Sequence, residues 1–184
     1  LKAEIIQSKI FMSRSDYIKF SNEVKAKLSD IIIGFNFIEI TLREILCTYI
    51  KSTRSDFVND ILLHNSILSF STKLSILKYI LAKEGIPFKD WEKFYKLINI
   101  RNAVAHSDNL INYEGDIIGE EVIDDEYDIR IPIYAPYVNG PKITVVKDGK
   151  VNEKGLNKMY EEFNKNKLDL ENILSEIKLK LEML

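Results

Sequence analysis

The sequence predicts a mainly α-helical fold, one helical bundle with a small β-hairpin insertion before the last helix. Three observations carry this. Apolar residues recur at steps of three and four over long stretches, the spacing of one helix face. Turn chemistry separates those stretches. A segment at about 112–151 switches to alternating and β-branched patterning, as strands do. A chain of 184 residues fits one domain, 1–184. It can bury roughly 70% of the surface its unfolded form exposes, so it needs no disulfide or metal staple.

The first helix is expected from Asp16 to Lys51, with Ile31, Phe35, Ile38, Leu42, Ile45 and Tyr49 on one face and Ser15 or Asp16 as cap. Ser52-Thr53-Arg54-Ser55 breaks it, and a short helix is expected over Asp56–Leu63. The next pattern is Phe70, Leu74, Leu77, Tyr79, Ile80 and Leu81, closed by Gly85 and Pro87. After Pro87, Phe88, Trp91, Phe94, Tyr95, Ile98 and Ala105 are read as inward. That helix is expected to end near His106, because Ser107-Asp108-Asn109 is turn chemistry. Tyr127, Ile129, Ile131 and Ile133 then alternate, Ile143–Val146 is β-branched, and Asp148-Gly149 is a hairpin-turn signal. An acidic loop (Glu120, Glu121, Asp124, Asp125, Glu126) is expected before them. The last helix is expected over Leu156–Leu184.

Composition narrows the function. The single cysteine, Cys47, cannot form a disulfide within the chain or a cysteine-rich zinc site. It is read as a core residue of a protein in a reducing, cytoplasmic compartment. No apolar run reaches the roughly 18 residues of a membrane helix, so no membrane partner is expected. No leader peptide is read at the start, although a chain beginning at Leu1 rather than Met is expected of a fragment. A net charge of -2 argues against a broad, sequence-blind grip on nucleic acid but permits a cleft that touches a few phosphates. No glycine-rich phosphate loop and no metal-spaced His/Asp/Glu cluster is present, so neither a cofactor nor a metal is expected.

One segment stands out chemically: Arg101-Asn102-Ala103-Val104-Ala105-His106, at the end of an apolar helix. Asn102 and His106 are four apart and share a face, so the amide can orient the imidazole. Arg101 and His106 are five apart, about 140° around an ideal helix. Either the arginine reaches round, or the helix ends before His106, or a second subunit supplies the partner group. A histidine exchanges protons near neutrality, and an arginine stays charged and grips a phosphate through two parallel hydrogen bonds. RNA carries its own nucleophile, the 2′-hydroxyl. Cleavage to a 2′,3′-cyclic phosphate then needs an acid and a base but no metal. The chain has two histidines, and His64 lies in another segment. Two copies of His106 across a two-fold axis would supply the pair. On residue types alone, an arginine and a histidine at a helix end also fit capping or pairing with a carboxylate. Glu39 and Glu44 are read as solvated or paired, with Glu39 facing Arg101 as an alternative.

The segment resembles the R-x(4–6)-H motif of the HEPN superfamily in its RN-x-x-A-H form. The helical setting is similar: a long first helix, a middle helix with Lys73, the motif helix and a long closing helix. Phe70-Ser71-Thr72-Lys73-Leu74 also resembles HEPN-fold relatives of the mannitol operon repressor. The resemblance covers about 16–107 and 156–184 and leaves the β insertion uncovered. It implies one HEPN-like antiparallel bundle and a homodimeric, metal-independent endoribonuclease acting on RNA. It also implies a role as a bacterial toxin or antiviral effector, with an antitoxin or regulatory protein as a further partner. Arg101 and His106 match the invariant pair, and Asn102 the polar position after the arginine. Some relatives bind RNA or protein without cutting, so a repressor-like regulator is the alternative.

Overall fold

The computed structural model describes residues 14–106, 116–124, 129–135, 142–147 and 150–183. The chain is mainly helical. In order come α1 (Arg14–Ile50), α2 (Ser55–Phe57), α3 (Phe70–Lys83), α4 (Trp91–Ala105), β1 (Asp116–Asp124), β2 (Ile129–Ala135), β3 (Lys142–Lys147), β4 (Lys150–Gly155) and α5 (Leu156–Glu182). It divides into two compact units. One is Ile32–Arg101 with Phe163–Leu184, the other Leu1–Ile31 with Asn102–Glu162.

In the unit Ile32–Arg101 with Phe163–Leu184, α1 turns its 35/38/42/45 stripe inward, and all four residues are buried. The helix approaches α5 closely at Gly34, where a Cβ would stand 3.0 Å from the Phe163 ring. The short helix expected over 56–63 is α2 running on into a π-helical turn, Val58–Leu62. Ser69 caps α3, its Oγ accepting the Thr72 N–H at 3.2 Å. Gly85 closes α3 with φ +67°, a left-handed conformation suited to glycine. Ile86 N–H reaches back to the Leu81 carbonyl at 2.8 Å, and Gly85 N–H to that of Ala82 at 3.3 Å, a Schellman closure. Tyr79, placed in the apolar pattern of α3, is instead exposed; Leu74, Leu77, Ile80 and Leu81 are buried.

The inward face of α4 also differs from expectation. Phe94, Leu97 and Ile100 are buried, while Tyr95 and Ala105 are exposed. A ring cluster holds the start of α4: Phe88 meets Trp91 edge-on at 4.4 Å, and Phe94 lies 6.3 Å from Phe70. Lys93 pairs with Asp169 of α5 at 2.9 Å. On α5, Phe163, Leu170, Leu174, Ile177 and Leu181 are buried at helical spacing, and Ile173 is half-buried.

In the unit Leu1–Ile31 with Asn102–Glu162, Val24, Ile31, Leu156 and Met159 are buried. Lys27 donates to Asn157 at 2.7 Å and Tyr160 to Asp30 at 2.9 Å. Strands β1 and β2 pair antiparallel from Asp116↔Ala135 to Asp124↔Ile129, and β3 and β4 from Lys142↔Gly155 to Lys147↔Lys150. Two ladders thus stand where one hairpin is expected from the sequence. Glu120, Glu121 and Asp124, read there as loop, lie on β1. Register shifts at Ile117/Gly119 and Val122/Asp124 break its alternation, which hides the strand from a period-two reading. Asp125, Glu126, Tyr127, Asp148, Gly149 and the Ser107-Asp108-Asn109 turn lie outside the described residues.

Candidate functional site at the end of the fourth helix

Helix α4 ends at Ala105, and His106 stands in the turn that follows, its N–H still bonded to the Asn102 carbonyl at 3.0 Å. His106 is therefore the first residue released from the helix. Its side chain is exposed, while Arg101 and Asn102 are half-buried. Asn102 and His106 are joined by one helical turn of backbone, as their spacing predicts. Arg101 is the last residue of one compact unit and Asn102 the first of the other.

Arg101 points toward α1. Its Cζ lies 5.6 Å from the centroid of the Phe35 ring, a cation–π distance, and its Nε is buried. The Phe35 ring lies 4.8 Å from that of Phe70, at the start of α3. The guanidinium thus stands over Phe35, a ring that Phe70 packs against. On an ideal helix the direction of His106 is about 140° away from that of Arg101. The helix ends before His106, one of the three arrangements left open by the spacing.

Glu39 pairs with Lys73. It is buried, and Oε1 accepts from Lys73 Nζ at 2.8 Å. Lys73 is fully buried. Asn65 closes a triangle: its Nδ2 donates to Glu39 Oε2 at 2.8 Å, and its Oδ1 accepts from Lys73 Nζ. The roles of Phe35, Phe70, Lys73 and Asn65 were not read from the sequence. A signal existed: Glu39 follows Phe35 by four, and Lys73 follows Phe70 by three, so an acid and a base each occupy an apolar helical stripe. Such residues are rarely buried unless paired.

Glu44 is exposed and bonded to Lys178 at 3.1 Å. His64 is exposed, with Nδ1 2.8 Å from Ser66 Oγ. Cys47 is half-buried rather than core; desolvation pushes its thiol pKa up, and the Arg43 charge opposes that. Among the described residues no three His, Cys, Asp or Glu side chains group as metal ligands. Among them, too, no helix is long and apolar enough to cross a membrane. Arg101 is thus a stacked cation late in α4, and His106 is an exposed imidazole just past its end. No protein-family model, curated protein or solved structure gives a significant match to this chain.

Proposed function

We propose that the protein is a HEPN-type, metal-independent endoribonuclease that works as a homodimer. The observation that carries this reading is His106, exposed at the released end of α4, five residues after an arginine whose guanidinium is held on a ring platform. In the proposed reaction one His106 takes the proton of an RNA 2′-hydroxyl. The 2′-oxygen attacks the adjacent phosphorus, and the bond to the 5′-oxygen breaks. The second copy's His106 protonates that leaving oxygen, giving a 2′,3′-cyclic phosphate and a 5′-hydroxyl. Arg101 offsets the charge growing on the phosphoryl oxygens, and Asn102 orients the imidazole. The biological setting proposed is a bacterial cytoplasmic toxin or antiviral effector, restrained by an antitoxin or regulatory partner.

The rival reading, a non-catalytic RNA- or partner-binding regulator on the same fold, is favoured by one observation. The stacking of Arg101 on Phe35 is also what a packing role needs. Purified protein incubated with mixed RNA in EDTA, beside His106→Ala, separates the two. Cleavage with cyclic-phosphate ends, lowered roughly a hundred- to ten-thousand-fold in the variant, supports the enzyme. RNA left intact by the wild type, or cut equally by His106→Ala, overturns it. Light scattering on the same samples reads the dimer.

A further inference from the structure

We infer that the buried Glu39–Lys73 pair, bridged by the exposed Asn65, is a positioning device for Arg101, setting the Phe35 ring over which the guanidinium stands and the Phe70 ring packed against it. Each leg of the triangle is a hydrogen bond. Lys73 Nζ donates to Glu39 Oε1 at 2.8 Å and to Asn65 Oδ1, while Asn65 Nδ2 donates to Glu39 Oε2 at 2.8 Å. The charged pair is withdrawn from water, Lys73 at 0% exposure and Glu39 at 5%. Burying two charges costs desolvation that their attraction often only balances, and apolar residues of the same volume commonly hold a core as well. Stability alone does not account for placing an acid and a base there.

Geometry does. Apolar surfaces slide over one another at little cost, whereas three mutually bonded polar groups admit one register. Glu39 lies one turn beyond Phe35 on α1, and Lys73 one turn beyond Phe70 on α3. The ionic layer and the ring layer are thus successive rungs between the same two helices. Fixing one rung fixes the other, where the rings lie 4.8 Å apart and Arg101 Cζ sits 5.6 Å above Phe35. Asn65 extends the hold to the segment between the π-helical turn and α3. A displacement of about 1 Å at a reacting group can cost a hundredfold in rate. The consequence for cleavage rests on the proposed ribonuclease reading; the consequence for Arg101 itself does not.

The test compares wild type with the double variant Glu39→Leu/Lys73→Met, which replaces the pair by apolar groups of similar size. Three quantities are read: the thermal midpoint, the Arg101 Nε–Hε signal in ¹⁵N spectra (assigned by its loss in Arg101→Lys), and single-turnover cleavage of RNA. The expected result is a midpoint at or above that of wild type. The Hε signal should lose the Phe35 ring-current shift and exchange faster with water. Cleavage kcat should fall tenfold or more, with KM within about twofold, because Arg101 acts on charge that develops during reaction. A folded double variant whose Hε shift is unchanged overturns the inference. Wild-type protein that cuts no RNA overturns only the ribonuclease reading, since the Hε signal still decides the positioning role. Should the double variant not fold, Asn65→Ala opens the two legs that meet at Asn65 without removing either charge. A moved Hε signal then supports the inference and an unmoved one overturns it.

Discussion

The Arg101 guanidinium carbon lies 5.6 Å from the centroid of the Phe35 ring, so this cation is anchored on α1 as well as carried by α4. A partly desolvated cation–π contact is worth about 0.5–2 kcal/mol. A double-mutant cycle with Phe35→Leu and Arg101→Met should return a coupling energy in that range, read from urea unfolding of the four proteins. A coupling indistinguishable from zero would show the two side chains to be neighbours without interaction.

Helix α3 starts at a built cap. Ser69 Oγ accepts the Thr72 N–H at 3.2 Å. Ser69→Ala should cost about 1 kcal/mol, and Ser69→Asp should keep most of the stability. Amide exchange at Thr72 should quicken in the alanine variant and stay slow in the aspartate one.

Gly34 is a point of close approach. Alanine there gains about 1 kcal/mol in helix propensity. Its Cβ, however, would stand 3.0 Å from Phe163 Cε1, on a ring with no exposure. Overpacking of this kind costs about 1–3 kcal/mol. Gly34→Ala should therefore lower stability by about 1 kcal/mol, and Gly34→Ala combined with Phe163→Leu should recover part of its clash. Chemical denaturation of both checks this; an alanine variant more stable than wild type would show the ring to be free to move.

Cys47 should react slowly. Desolvation raises its thiol pKa, and Arg43 only partly opposes this, so little thiolate is present at neutral pH. Iodoacetamide labelling of native protein at pH 7, followed by intact-mass measurement, should run slower than in 8 M urea. Equal rates would place the thiol in open solvent.

The long helices were legible because their apolar residues fall on narrow stripes. On α1, Phe35, Ile38, Leu42 and Ile45 leave one possible phase, and on α5 so do Phe163, Leu170, Leu174 and Ile177. The phase of α4 was not legible. Trp91, Phe94, Tyr95, Leu97, Ile98 and Ile100 put apolar groups on almost every side, and only packing chooses Leu97 and Ile100 over Tyr95. Strand β1 was obscured by its acidic residues and by two register shifts that interrupt alternation. At the site, spacing placed Asn102 beside His106 and left Arg101 about 140° away. What spacing could not supply was the ground under Arg101, because Phe35, Phe70, Glu39 and Lys73 are distant in sequence and meet only through tertiary packing.

Both compact units are assembled from separated stretches of chain, Ile32–Arg101 closing only with Phe163–Leu184. During synthesis the motif helix leaves the ribosome long before α5 does. The hydrophobic face that α5 covers stays open until α5 itself emerges, and the unit bearing Arg101 cannot set before then. Order around Arg101 is therefore a late event in synthesis, set by the arrival of Phe163–Leu184 rather than by that of the helix that carries the arginine.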